Sequence, residues 1–210
     1  MQAKKKAKRG PAKSIWTPAN IVTTVRVALM PLWLLLAEFS SAATDKVSVS
    51  ALLVALLYII ISLTDKLDGY LARSRGEVTA FGQFLDPIAD KLAVVVALSY
   101  LLEIGLVNSW VLLIIIAREF LVSGLRMVVA SEGVVVPASN LGKWKTAVTM
   151  IAICGILLWR AFPATVDPHH PLNILTMVLM IVALVLTAWS GIDYFVKCWP
   201  YVSGSRKGRK

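Results

Sequence analysis

Six apolar blocks, each about long enough to cross a bilayer, constrain the fold of this sequence more than any other feature. The blocks cover residues 20–39, 47–64, 84–106, 110–130, 146–162 and 172–199. A helix that crosses the hydrocarbon core needs about 20 mostly apolar residues. Only 16% of the 210 residues are charged, whereas soluble domains average about 25%. We therefore predict an all-α integral membrane protein with six transmembrane helices.

Basic residues are distributed unevenly between the two sides of the predicted membrane. If the N-terminus is cytoplasmic, 20 of the 22 Lys and Arg residues lie on the cytoplasmic side, and only Lys46 and Arg160 lie outside. The positive-inside rule favours this orientation, in which both termini are cytoplasmic. That arrangement needs an even number of spans, which agrees with six.

Both ends of the chain are strongly basic. Residues 1–19 are interpreted as a cytoplasmic tail and a short interfacial segment, in which Trp16 lies at headgroup level before Pro18. Residues 20–199 form the six-helix domain, and residues 200–210 form a second basic tail. Although the net charge is +10, tails beside membrane spans favour an anionic lipid bilayer as the partner and not nucleic acid.

Four aspartates flank the loop between predicted spans 2 and 3. Asp65 and Asp68 end one span, and Asp86 and Asp90 begin the next. Residues three or four apart share one helix face, and antiparallel neighbours bring both pairs to one membrane depth. Four carboxylates at the edge of a low-dielectric layer favour cations among them. Oxygen ligands without His or Cys suit Mg²⁺, Mn²⁺ or Ca²⁺, and four aspartates could hold two ions.

Glycine, arginine and threonine in the same segment indicate a phosphorylated ligand. Gly69 and Gly82 would let a phosphate or a nucleotide approach the backbone closely. Arg73 supplies a fork-shaped donor for phosphate, and Thr79 supplies a hydroxyl. Paired metal ions recur in phosphoryl chemistry. The residues predict metal-dependent chemistry on a phosphorylated substrate at the cytoplasmic surface. The alternative is a set of solvated charges at helix ends.

The spacing of these residues resembles the signature of the CDP-alcohol phosphatidyltransferase family. The matching pattern is Asp65-x2-Asp68-Gly69-x2-Ala72-Arg73-x8-Gly82-x3-Asp86-x3-Asp90. The stretch NIVTTVR, residues 20–26, also resembles the opening of these proteins. The resemblance implies transfer of the phosphatidyl group of CDP-diacylglycerol to an alcohol, with two Mg²⁺ or Mn²⁺ ions held by the four aspartates. It also implies that Asp90 is the general base and that the protein is a homodimer.

The same resemblance assigns residues to the CDP-diacylglycerol donor. These are Asn20, Thr23, Arg26, Gly69, Arg73, Thr79 and Gly82. A route through a protein nucleophile finds little support, because His169 and His170 lie in a loop predicted on the outer side and neither cysteine lies within the motif. Direct attack by the alcohol is the simpler route.

A second resemblance concerns the acceptor. Residues 116–146 resemble the corresponding region of bacterial family members that make phosphatidylglycerophosphate. This implies sn-glycerol 3-phosphate as the acceptor and the bacterial cytoplasmic membrane as the location, with the active site on the cytoplasmic side. Basic residues nearby suit a phosphorylated alcohol and would repel choline or ethanolamine. The candidate residues for the acceptor phosphate are Arg118, Arg126, Lys143 and Lys145.

Three alternatives remain open. Arg118 could form a structural pair with Glu119, with the other basic residues serving as headgroup anchors. The basic cluster would also suit inositol phosphate or phosphatidylglycerol as the acceptor, since both carry phosphate. A divalent-cation transporter is the alternative of a different class. Transport sites usually lie near the bilayer midplane, however, and a transporter would have no use for Arg73.

Overall fold

The structure is a computed structural model that describes residues 17–74, 79–131, 140–163, 167 and 169–202. Within these ranges there is no strand, so the all-α prediction is confirmed. The helices are α1 (Pro18–Glu38), α2 (Val49–Ser74), α3 (Ala80–Glu103), α4 (Ser109–Ser131), α5 (Asn140–Trp159) and α6 (Pro171–Val202). Trp16 and most of both basic tails lie outside the described residues.

Threonine residues cap α1 and α3, two of the helices that carry predicted site residues. Thr17 Oγ1 accepts a hydrogen bond from the Asn20 backbone N–H at 3.3 Å, and Pro18 follows in the first turn, where its missing N–H costs nothing. Thr79 Oγ1 accepts from the Gly82 backbone N–H at 3.0 Å. Each cap satisfies a backbone donor that the helix leaves unpaired. The caps therefore fix where α1 and α3 begin.

Three of the described helices contain segments long and apolar enough to cross a membrane. They are Asn20–Glu38, Leu141–Trp159 and Pro171–Val202. The apolar part of α2, Val49–Thr64, is shorter, and α3 and α4 carry charged residues within apolar sequence. These helices are consistent with a membrane protein. Six spans with cytoplasmic termini stay a prediction.

Large apolar side chains cover much of the outer surface. Phe39, Trp110, Phe120 and Met127 are each at least 68% exposed. Soluble monomers rarely expose contiguous apolar patches larger than a few hundred Å². A surface of this kind suits contact with lipid.

Three aromatic rings form the centre of the packing among α1, α2 and α3. The Trp33 ring lies 5.2 Å from the Tyr58 ring and 5.8 Å from the Tyr100 ring, measured between centroids. Trp33 Nε1 donates to the Val54 carbonyl at 3.0 Å, and Tyr58 OH donates to the Ala93 carbonyl at 3.3 Å. Trp33 lies near the end of α1 and Val54 near the start of α2, so these two helices are antiparallel.

Contacts at both ends show that α1 and α3 are parallel. Asn20 contacts Thr79 near their starts, and the Ala37 carbonyl accepts from Tyr100 OH near their ends. The starts of α1 and α3 therefore share one end of the bundle with the end of α2. This is the end that carries the aspartates.

The opposite end of the bundle is held by a different polar contact. Arg160 donates to Ser40 Oγ at 2.8 Å and to the Ser40 carbonyl at 3.0 Å, which joins the end of α5 to the end of α1. A mainly apolar cavity of about 810 Å³ opens beside Arg160 and Trp159. It is remote from the aspartates.

Candidate active site

Asp86 and Asp90 lie on the face of α3 that contacts α1. Thr23 Oγ1 donates to Asp86 Oδ1 at 3.0 Å, and Arg26 Nη1 donates to Asp90 Oδ1 at 3.0 Å. Donors three apart on α1 thus meet acceptors four apart on α3, as expected for two packed helical faces. Thr23 and Arg26 are buried, whereas Asp86 is exposed and the Asp90 side chain is 48% exposed. The carboxylates are held by α1 and remain accessible to a ligand.

The other half of the predicted carboxylate cluster lies on α2. The contact between Tyr58 and Ala93 gives the register, because Asp65 lies seven residues after Tyr58 and Asp86 lies seven residues before Ala93. At 1.5 Å per residue, each position lies about 10 Å from that contact along antiparallel helices. The backbone thus places Asp65 and Asp86 at a similar level. Four predicted site residues lie further along α2, and their side chains are outside the part of the chain that the structure describes. They are Asp65, Asp68, Gly69 and Arg73.

Gly82 allows α1 and α3 to approach each other closely. A Cβ atom at this position would lie 2.5 Å from Asn20 Oδ1 and 3.3 Å from Thr79 Oγ1. Asn20 Nδ2 donates to Thr79 Oγ1 at 2.7 Å, and this is the same oxygen that caps α3. The sequence analysis predicted that Gly82 contacts a phosphate or a nucleotide. In the structure its nearest described side chain is Asn20. Three predicted donor-binding residues, Asn20, Thr79 and Gly82, therefore lie together.

The donor atoms of Asp86 and Asp90 suit a hard divalent ion. Carboxylate oxygens are the ligands that Mg²⁺ and Mn²⁺ prefer, and both carboxylates have accessible surface. The histidines lie at the other end of the bundle, where the His170 ring stacks on Trp159 with 4.7 Å between centroids. The described residues therefore fit the predicted oxygen-ligand site, which would draw its other ligands from α2.

Basic residues predicted for the acceptor meet around one carboxylate. Arg118 Nη1 donates to Glu119 Oε1 at 3.2 Å, and Arg118 Nε donates to Ser190 Oγ of α6 at 3.1 Å. Lys145 Nζ of α5 donates to the same Glu119 oxygen and is buried. The Arg118–Glu119 pair expected under the structural alternative is thus present, and Lys145 extends it to a third residue.

The remaining two predicted acceptor residues are exposed. Arg126 Nε donates to Tyr194 OH at 3.0 Å, and Arg126 Cζ lies 5.1 Å from the centroid of the Tyr194 ring. Lys143 lies near the start of α5 with its side chain at the surface. The structure therefore brings Arg118 and Lys145 together around Glu119, holds Arg126 against α6, and leaves Lys143 at the periphery.

A family comparison covers most of the chain, including the aspartates and the basic residues of α4 and α5. The sequence model described as CDP-alcohol phosphatidyltransferase matches residues 16–189. The chain belongs to the CDP-alcohol phosphatidyltransferase family. The resemblance of the aspartate motif to this family is confirmed.

Relatives of this family member match it over most of their own lengths. The CDP-diacylglycerol–glycerol-3-phosphate 3-phosphatidyltransferase of Bacillus subtilis (strain 168) is 41% identical over 187 residues, which are 86% of this chain and 94% of that protein. The protein of the same name from Rickettsia typhi is 37% identical over 182 residues, 87% of this chain and 97% of the relative. The protein of the same name from Haemophilus influenzae is 36% identical over 178 residues, which are 82% of this chain and 88% of that protein.

The sequence analysis did not predict the uncharged side chains that accept hydrogen bonds from the basic residues. They are Ser123 on α4 and Ser190 and Tyr194 on α6. A signal for Ser123 existed, because Glu119, Ser123 and Arg126 recur at intervals of four and three residues in an apolar helix. That spacing indicates a polar stripe facing other helices.

Proposed function

We propose that the protein transfers the phosphatidyl group of CDP-diacylglycerol to sn-glycerol 3-phosphate, giving phosphatidylglycerophosphate and CMP. The names of relatives at 36–41% identity support this reaction. The observation that carries the proposal is that Asp86 and Asp90 share α3 with Lys91, which lies within electrostatic range of Arg118 and Arg126 of α4. The acidic part suits a metal-bound diphosphate, and the basic part suits the phosphate of the acceptor.

The donor is assigned to the side of the site formed by α1 and the start of α3. Asn20 and Thr79 offer an amide and a hydroxyl there, already joined by a hydrogen bond of 2.7 Å. The aspartates of α2 and α3 would hold two Mg²⁺ or Mn²⁺ ions. When bound, such ions neutralise the diphosphate and the leaving CMP. Gly69 and Arg73 of α2 complete the proposed donor contacts.

The reaction is a direct displacement. The acceptor hydroxyl oxygen attacks the phosphorus that carries the diacylglycerol, and the bond from that phosphorus to the CMP oxygen breaks. Asp90 accepts the hydroxyl proton as general base. Arg26, which is 3% exposed and donates to Asp90 Oδ1 at 3.0 Å, fixes the orientation of that carboxylate. Thr23 does the same for Asp86.

The basic residues favour an acceptor that carries phosphate. Arg118 and Lys145 are both largely buried and share Glu119 as a partner. A cationic alcohol such as choline would meet like charges there, whereas a phosphate would be bound by charge-assisted hydrogen bonds. Inositol phosphate and phosphatidylglycerol satisfy the same chemistry and are the alternative acceptors.

The membrane arrangement belongs to the same proposal. Six spans, both termini in the cytoplasm and an active site at the cytoplasmic surface of a bacterial membrane agree with the basic loops and tails of the sequence. A homodimer is proposed from the resemblance to the family. Residues 20–199 would form the enzyme domain.

The test is an assay of purified protein with CDP-diacylglycerol, Mg²⁺ and a panel of alcohols. The panel contains glycerol 3-phosphate, inositol phosphate, phosphatidylglycerol, glycerol and choline. We expect CMP release and a new phospholipid with glycerol 3-phosphate. Product formation with another alcohol alone would reassign the acceptor, and no CMP release with any alcohol would reject the proposed function.

A further inference from the structure

Two consecutive residues of α3 contact different neighbouring helices. Asp90 accepts from Arg26 of α1, whereas Lys91 Nζ donates to Ser123 Oγ of α4. Successive residues of a helix point about 100° apart, which accounts for the divergence. Lys91 thus lies at the boundary between the aspartate site and the basic cluster.

The α4 side of this boundary is a continuous polar stripe. Glu119, Ser123 and Arg126 follow one another at intervals that share a helix face. Their partners lie on three different helices and are Lys145 of α5, Lys91 of α3 and Tyr194 of α6. The stripe therefore borders a polar space between α3, α4, α5 and α6, which is open to the surface at the exposed Arg126.

The charge in this polar space is strongly positive. Lys91 lies within electrostatic range of Arg118, Arg126 and the neighbouring Asp90, and Lys145 lies within range of Arg118 and Lys91. Two described carboxylates act on these cations: Glu119, which is bound by Arg118 and Lys145, and Asp90, which is bound by Arg26 of α1. The described hydrogen-bond partners of Lys91 and Arg126 are neutral hydroxyls. Neutral partners orient a cation without balancing its charge, so the space favours an added anion.

We propose that Lys91, oriented by Ser123, binds the phosphate of the acceptor alcohol while the neighbouring Asp90 receives the acceptor's hydroxyl. This inference rests on the proposed function. An ammonium group has three donors, and the bond to Ser123 uses one of them. The backbones of consecutive residues are about 3.8 Å apart, so the two side chains can contact the two ends of one small molecule. Lys91 is then an acceptor-specificity residue.

The diphosphate of CDP-diacylglycerol is the other anion that Lys91 could bind. The geometry favours the acceptor, because Lys91 is directed towards α4 whereas the proposed donor contacts Asn20 and Thr79 lie between α1 and α3. The two possibilities differ in which Michaelis constant changes. The experiment is designed to separate them.

The test compares Lys91→Gln with the parent in steady-state kinetics, varying each substrate in turn. Removing one charge-assisted contact should raise the KM for glycerol 3-phosphate by about ten- to a hundredfold, with the KM for CDP-diacylglycerol unchanged. The preference for glycerol 3-phosphate over unphosphorylated glycerol should fall by a similar factor. Lys91→Arg should retain much of the parental preference, because it keeps the charge.

A matched control is available on α6. Lys197 is exposed and pairs with Asp193 one helical turn away at 2.7 Å, so Lys197→Gln removes a lysine without touching the polar space and should keep parental constants. Ser123→Ala leaves Lys91 in place but removes its orienting hydroxyl. It should raise the acceptor KM alone by about two- to tenfold, less than Lys91→Gln, because the charge of Lys91 is kept and only its orientation is lost.

An unchanged acceptor KM in Lys91→Gln overturns the inference, and so does a rise confined to the KM for CDP-diacylglycerol. If Lys91→Gln is not recovered as folded protein, Ser123→Ala decides: a rise in acceptor KM alone supports the inference, and parental kinetics overturn it. If the parent protein transfers to no phosphorylated alcohol, the proposed function itself is rejected. If the parent is active and Lys91→Gln has the parental acceptor KM, only the role of Lys91 is rejected.

Discussion

Replacement of Gly82 by alanine tests the close packing of α1 against α3. The new Cβ atom would lie 2.5 Å from Asn20 Oδ1, a separation at which something has to move. Asn20 is 4% exposed, and its amide nitrogen donates to Thr79 Oγ1 at 2.7 Å. Asn20 can therefore move away only by weakening that hydrogen bond.

The magnitude follows from three opposing contributions. Forcing a carbon atom into a packed site costs about 1–3 kcal/mol, and loss of a buried hydrogen bond costs about 0.5–1.5 kcal/mol. The better helix propensity of alanine offsets only about 0.5–1 kcal/mol. We expect a net loss of about 0.5–4 kcal/mol in the free energy of unfolding. If Asn20 contacts CDP-diacylglycerol, the donor KM should also rise by about two- to tenfold.

Gly124 of α4 provides the matched control, because a Cβ atom added there meets no other atom within 4 Å. Gly124→Ala should gain about 0.5–1 kcal/mol from helix propensity alone and keep parental kinetics. The assays are thermal unfolding in detergent and steady-state kinetics with CDP-diacylglycerol as the varied substrate. If Gly82→Ala matches Gly124→Ala in stability and keeps the parental donor KM, the packing argument is refuted.

Three other expected outcomes address the metal, the base and the membrane orientation. EDTA should abolish CMP release and Mg²⁺ or Mn²⁺ should restore it, since carboxylate clusters need hard divalent ions; full activity in metal-free buffer would contradict the two-ion site. Asp90→Asn should remove most turnover while donor binding survives better than in Asp86→Asn, because an amide can accept from Arg26 but is not a useful base; equal loss of binding would argue against a separate role for Asp90. The orientation can be tested in intact cells with a variant that lacks Cys154 and Cys198. A membrane-impermeant maleimide should label an added Lys46→Cys directly but an added Ser131→Cys only after permeabilisation. The reverse pattern would show the opposite orientation.

The sequence predicted the existence of each helix better than its ends. The apolar block at residues 146–162 lies mostly in α5, which begins earlier, at Asn140, and ends at Trp159. Most of the block at residues 47–64 lies in α2, which begins at Val49 and continues to Ser74. Hydropathy follows contact with lipid, whereas a helix continues wherever its backbone hydrogen bonds can be made. Polar residues therefore extend these helices beyond their apolar parts, and α2 carries the first two aspartates of the motif on that extension.

The candidate site was predictable where it depends on local spacing. Asp86 and Asp90 were expected on one face of α3 from their separation alone, and the structure places both against α1. The pairing of Lys145 with Glu119 was not predictable, because the two residues are 26 positions apart and on different helices. That contact depends on the relative rotation and depth of α4 and α5, which periodicity within a single helix does not contain.

The structural and the functional interpretations of Arg118 do not exclude each other. A guanidinium group has five N–H donors in a fixed plane, and the described contacts with Glu119 and Ser190 involve Nη1 and Nε. In a low-dielectric surrounding, a basic side chain without fixed partners would be costly to bury and poorly placed. Glu119 stabilises both Arg118 and Lys145 and so holds two cations close together. The same contacts that secure α4 to α5 and α6 would therefore hold the cations of the proposed phosphate site in place, and a substitution at Glu119 should disturb acceptor binding and helix packing together.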